Sequence, residues 1–225
     1  MKTRILLDNV LFLQFSNRKD LTTTMFRVQE YYESNNKKIR NKIFTTEDFI
    51  EEYTDARGNI DYFSFWEGFN VPGNIINNFF KSFELTKREI NFKKTIEKFL
   101  DRKKDYYVIA TDGDNTTLKH ELAHALYYLN EEYREKVQKI IKSIPASEHK
   151  KLINNLNKLQ YNDSVHIDEI QAYLATSKKS ELVDDFEIDY EKMKKHISSI
   201  KKLFKGYLDK QNENTFNRHR WRRKR

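Results

Sequence analysis

Residues 117–126, Thr-Leu-Lys-His-Glu-Leu-Ala-His-Ala-Leu, constrain this chain more than any other stretch. In a helix, His120 and His124 are four apart and lie one turn above each other on the same face. One Zn²⁺ could accept both imidazole nitrogens at about 2.0–2.1 Å. Glu121 follows the first histidine and is angled to take a proton from water held by that metal rather than to ligate it. Leu118, Leu122, Ala123, Ala125 and Leu126 are uncharged and helix-compatible, as a helix buried on its other faces requires. The chain has only six histidines, so the five-residue pattern would arise by accident in about one such chain in a hundred. The competing reading is an amphipathic helix with two hydrogen-bonded histidines and a surface glutamate.

The remaining sequence predicts a mostly helical α+β chain with a small mixed or antiparallel sheet. Residues 4–16 read as one strand, or as two around Asp8-Asn9. Asp20 to Ser34 has apolar Met25, Val28 and Tyr32 at helical spacing. Thr45-Thr46-Glu47-Asp48 starts a second helix. Ile60 to Phe65 reads as a short strand. Trp66 to Gly73 holds two of the five glycines and one of the two prolines. It reads as a loop that either lines a cleft or turns a corner around a buried Trp66, and Pro72 opens the next helix. Thr86 and Glu89 form a capping box for a helix to about Leu100. Asp105 to Ala110 is dense in β-formers and turns through Thr111–Asn115 into the helix of the motif, with Asn115 or Thr116 as its cap. Further helices are predicted over 131–144, 147–159, 164–175 and 189–210. Residues 1–211 are expected to form a single domain, with an N-terminal lobe (1–104) and a metal-site lobe (105–211). Residues 212–225 are expected to be a disordered basic tail.

Composition excludes several classes. Without cysteine, there are no disulfides or thiolate sites, and a metal must be held by His and carboxylate. That absence fits a reducing cytoplasm. No run approaches a membrane span, and Asp8-Asn9 interrupts the apolar start too early for a secretory leader, so no membrane partner is expected. Of the net charge of +8, six positive charges fall in the last eight residues, leaving +2 for the body. Basicity is thus a property of the tail, through which nucleic acid or an acidic partner could bind. Arginines there could neutralise phosphates while Trp221 stacks on a base. Oligomeric state leaves no mark in the sequence.

A catalytic zinc takes three protein ligands and keeps a position for water. A third histidine six residues after His124 is missing, since Asn130 stands there. Glu131, Glu132 and Glu135 lie too far along the helix axis. Glu169, on a predicted helix 45 residues after His124, is the preferred third ligand. His166, one turn earlier on the same face, is its rival. Asp168 is suited to orienting an imidazole N–H.

Residues 117–126 meet the extended zincin pattern. Asp168-Glu169-x-x-Ala172 resembles the glutamate-ligand helix of the gluzincin branch. The resemblance implies a zinc-dependent metallopeptidase acting on a peptide or protein substrate. Its metal ligands would be His120, His124 and Glu169, and its general base Glu121, assisting attack by a zinc-bound water. It further implies that the strand before the motif is a sheet edge along which substrate adds. Tyr173, one turn beyond Glu169, is a candidate oxyanion donor, although packing alone would explain an aromatic there. The alternative is a nucleic-acid- or peptide-binding protein whose zinc site is not catalytic.

Overall fold

The computed structural model describes residues 1–55, 58–100, 104–113, 115–159 and 161–222, with the side chains of 115, 116 and 211–222 outside the description. The architecture is α+β, and the chain divides into two compact units, Met1–Leu118 and Lys119–Arg225. The boundary falls later than the expected 104/105. The reason is that the strand at Tyr107–Thr111 is hydrogen-bonded into the first unit's sheet.

In the first unit, β1 (Lys2–Leu7) and β2 (Val10–Gln14) form an antiparallel pair around Asp8-Asn9, the second of the two readings of this segment. Asn9 adopts the left-handed conformation, φ 63°, and its side-chain amide donates to the Asp105 carbonyl at 2.8 Å. Helix α1 (Arg18–Glu33) begins at Asn17, whose side chain accepts from the Asp20 amide. The Thr45–Asp48 and Thr86–Glu89 capping boxes start α2 (Thr46–Tyr53) and α5 (Lys87–Phe99) as expected.

Three expectations in this unit are corrected. Ile60 to Phe65 is not a strand; Tyr62–Phe65 form a single helical turn, α3. Tyr62 packs on Phe49 and donates its hydroxyl to Glu30 at 2.8 Å, and this tertiary demand overrides the β-propensity of the segment. Trp66 to Gly73 is not a loop, because Gly68–Pro72 form strand β3. Phe69 and Val71 are buried while Asn70 is less so, the alternation of a strand in a sheet. Pro72 ends it, where the missing N–H costs little. Trp66 is not buried either, being 38 % exposed.

The third correction concerns β4 (Tyr107–Thr111). The strand order is β1-β2-β4-β3, so β4 is parallel to β2 on one side and antiparallel to β3 on the other. It is not a sheet edge, and its ladder positions are already taken. Burial of all five residues explains why it reads as a continuous apolar run.

Leu11, Leu13, Phe69, Val71, Val108 and Ala110 share one core with Leu21, Met25 and Val28 of α1. Ile76 and Phe79 of α4 (Gly73–Ser82) and Phe92 and Ile96 of α5 complete it. Gly73 is fixed by close approach: an added Cβ would lie 2.5 Å from the Tyr106 ring.

After β4, the turn at Asp112-Gly113 leads to α6 (Asn115–Leu129). The expected cap at Asn115 or Thr116 lies outside the described residues. In the second unit α7 (Glu131–Lys142) starts on Asn130, and α8 (Ala146–Lys158) follows Pro145 directly. A short 3-10 turn at Asp163–Val165 precedes α9 (His166–Thr176), and α10 (Lys179–Asp184) had no counterpart in the sequence reading. Helix α11 spans Tyr190–Arg222, so the backbone expected to be disordered from 212 is helical up to Arg222. No Gly or Pro follows Gly206 to break it. It packs on α7 and α9, and its Met193, Ile197, Ile200 and Phe204 are buried. No helix among the described residues is long and apolar enough to cross a membrane.

The two glycines should respond to Ala in opposite directions. Gly73→Ala should destabilise by about 2 kcal/mol. Gly206→Ala, where an added Cβ meets nothing within 4 Å, should stabilise by about 0.5–1 kcal/mol. Urea denaturation measures both.

Glu148 provides a pH-dependent test. It is buried and accepts from the Asp189 amide at 2.8 Å and from Lys151 at 3.3 Å. Burial pushes its carboxyl up, but the Asp189 amide and Lys151 outweigh this and hold it below its ordinary value. Its stabilisation is therefore present above the ordinary glutamate pKa and lost as pH falls through the depressed folded value. Glu148→Gln should cost about 1–2 kcal/mol at pH 7, and the difference from wild type should narrow as pH falls below the ordinary glutamate range and close below the depressed folded value.

Candidate metal centre

Helix α6 presents His120 and His124 on one face, with ring centroids 4.8 Å apart. Helix α9 brings Glu169 in its first turn to meet them. Glu169 Oε2 lies 3.5 Å from His120 Nε2, and Glu169 Oε1 lies 3.6 Å from His124 Nε2. One donor atom from each of the three residues lies within 4.8 Å of the others. Two ligands at tetrahedral positions on one zinc are separated by about 3.4 Å, given bonds of about 2.0–2.1 Å. The two carboxylate–imidazole distances are close to that edge length.

The electrostatics suit a cation. Glu169 is 5 % exposed, and its Oε2 is buried without a hydrogen bond. Burial pushes its carboxyl up, yet His124 and His120 together hold it below the usual carboxylate range. Burial disfavours charge on His124, but Asp168 foremost, then Glu169 and Glu121, raise it well above an ordinary histidine. The cluster is thus arranged to hold positive charge away from water. A divalent cation fits a donor set of two imidazoles and one carboxylate with a buried lone pair.

Asp168 fills the orienting place expected of it: its Oδ1 is 2.9 Å from His124 Nδ1. A proton on Nδ1 leaves Nε2 as the acceptor facing Glu169. Glu121 is 6 % exposed. It is close enough to contribute to the potentials of His124, Tyr161 and Tyr173.

Tyr173 lies with its ring 4.7 Å from that of His120 and Phe186 at 4.6 Å, so it is both a packing aromatic and a neighbour of the site. Burial, followed by the Glu169 charge, pushes its phenol up to about 12. It therefore stays protonated and able to donate at neutral pH. His166 does not join the cluster. Its Nε2 lies 3.2 Å from the Tyr161 carbonyl and 3.7 Å from Asp163.

Two features were missed in the sequence. Tyr161 stands in a polar connection with nothing local to mark it, yet its hydroxyl lies 3.2 Å from that of Tyr173. Gln171 contacts Asp168 at 2.9 Å. Its helical i+3 spacing from Asp168, on the apolar side of α9, was a usable signal.

The two rival third ligands separate experimentally. Glu169→Ala should weaken zinc binding about 100-fold or more, while His166→Ala should leave it within about twofold, measured by competition with a chromophoric chelator. Comparison of the chain with protein-family models, curated proteins and solved structures returns no match.

Proposed function

We propose that this protein is a zinc-dependent peptide hydrolase. His120, His124 and Glu169 hold the metal, and Glu121 carries the proton. The observation that carries this reading is the meeting of one donor atom from each of His120, His124 and Glu169 within 4.8 Å, with a buried carboxylate on the residue after His120. Structural zinc sites are generally closed by four ligands, most often thiolates, whereas two histidines and a glutamate is a hydrolytic ligand set. The chain has no cysteine.

Bound zinc would supply Lewis acidity and bring a water's pKa toward ~7. Glu121 takes a proton from the attacking water and delivers it to the leaving amine nitrogen, so the new C–O bond forms and the C–N bond breaks without free acid or base. A carboxylate fits this role because it can hold the proton between the two steps. The Tyr173 phenol, kept protonated by burial and by Glu169, can donate a hydrogen bond to the oxygen on which negative charge develops. His120 and Phe186 fix its ring, so its orientation costs little when substrate arrives.

Glu121→Gln tests the reading. The variant should keep one zinc per chain and lose at least about 10³-fold in kcat/KM on a peptide library. Tyr173→Phe should lower kcat by about 10-fold or more with little change in KM. Hydrolysis by Glu121→Gln at the wild-type rate would contradict the proposal, and zinc binding without turnover by the wild type would favour a site that only binds peptide.

A further inference from the structure

A second set of buried polar groups lies behind His124, on the side away from Glu169. Tyr133 of α7 donates its hydroxyl to Gln171 Oε1 at 2.8 Å. Gln171 Nε2 donates to Asp168 Oδ1 at 2.9 Å. The same Asp168 oxygen lies 2.9 Å from His124 Nδ1. Tyr133 and Gln171 are both fully buried, and the ring of Tyr207 from α11 packs 5.4 Å from that of Tyr133.

We infer that Gln171 and Tyr133 are positioning residues: they hold the Asp168 carboxylate on His124 Nδ1 and thereby set how tightly the Nε2 face of the site binds zinc. This rests on the metal site proposed above and adds residues that touch neither metal nor substrate.

The polarity of the chain is forced. An ionised Asp168 only accepts, so the group Gln171 turns toward it must be the amide N–H₂. The Gln171 carbonyl then faces Tyr133, whose hydroxyl must donate. A flipped Gln171 would set its carbonyl oxygen against the carboxylate, with both groups in low dielectric. At the other end, an acceptor at Asp168 requires the His124 proton on Nδ1, and Nε2 is left with its lone pair toward the ligand cluster. The Tyr133 and Gln171 donors thus run toward Asp168, and Gln171 and His124 meet on its Oδ1 from opposite sides. Packing alone does not call for this arrangement. Leu and Phe would fill comparable space at 171 and 133 without desolvating an amide and a hydroxyl. Helix α11 closes the far end: Tyr207 covers the Tyr133 ring, which keeps these bonds away from competing water.

The test is a set of zinc affinities by chelator competition on the full chain, with urea denaturation of each metal-free variant alongside. Gln171→Met and Tyr133→Phe should weaken zinc binding by about 10-fold and about 3-fold, and Asp168→Asn by about 10–100-fold. The decisive comparison is the double-mutant cycle. In an Asp168→Asn background, Gln171→Met and Tyr133→Phe should change affinity by less than about twofold, because the carboxylate they position is gone. Losses undiminished in that background would mean the two residues act only through packing, and would overturn the inference. So would wild-type affinity in both single variants while His120→Ala abolishes binding. Tyr133→Phe keeps the ring and carries the cycle even if Gln171→Met does not fold. Equal zinc in wild type and His120→Ala would overturn the metal site itself, and this inference with it.

Discussion

Glu169 is a carboxylate almost out of reach of water, facing two imidazoles at 3.5 and 3.6 Å. Burying an ionised group without compensation costs several kcal/mol, so something positive must stand where those three side chains converge. Without a metal, a proton on His124 serves, which is why His124 is raised and Glu169 lowered together. The second unit is arranged around meeting that demand. Helix α9 packs with α7 and α8, α11 packs on α7 and α9, and the donors are held on helices rather than loops. A site built on regular elements keeps the sub-ångström spacing that a metal requires.

The support for the ligands extends outward in layers of decreasing charge. The three donors come first. Asp168 fixes the tautomer of His124, and the neutral Gln171 and Tyr133 fix Asp168. On the other side the Tyr173 ring packs on His120 and its hydroxyl meets that of Tyr161, both phenols kept protonated by burial. Ionised groups thus occupy the centre, and their hydrogen-bonding needs are met by neutral groups that are cheaper to bury.

What could be read in the sequence follows from the range of the interactions involved. The His120–His124 pair is local, set by helical periodicity, and it was visible at once. Glu169 was reachable because the Asp168-Glu169-x-x-Ala172 run sits on a helix with an apolar face. The capping boxes at Thr45 and Thr86 and the turn at Asn9 are equally local, and they mark element boundaries correctly. The failures at Trp66 to Gly73, Ile60 to Phe65 and Tyr107–Thr111 are long-range. A glycine- and proline-bearing stretch reads as a loop until the partner strand β4 is known. An aromatic stretch reads as a strand until Glu30 claims the Tyr62 hydroxyl. An apolar run such as Tyr107–Thr111 fits a buried strand, but nothing in it tells whether it sits inside a sheet or at its edge. Tyr161 carries no local signal because its links to the site, the Tyr173 hydroxyl and the charge of Glu169, are made across space.

The interior position of β4 separates the metal site from the idea that substrate adds along that strand. The proposed chemistry does not depend on it, because the candidate ligands, the proposed proton carrier and the orienting carboxylate all lie between His120 and Tyr173. The most direct measurement is a crystal structure of the zinc-soaked protein with data collected across the zinc absorption edge. The account predicts a single strong anomalous peak about 2.0–2.2 Å from His120 Nε2, His124 Nε2 and a Glu169 oxygen. A peak bound elsewhere, or none at this cluster at saturating zinc, would contradict it.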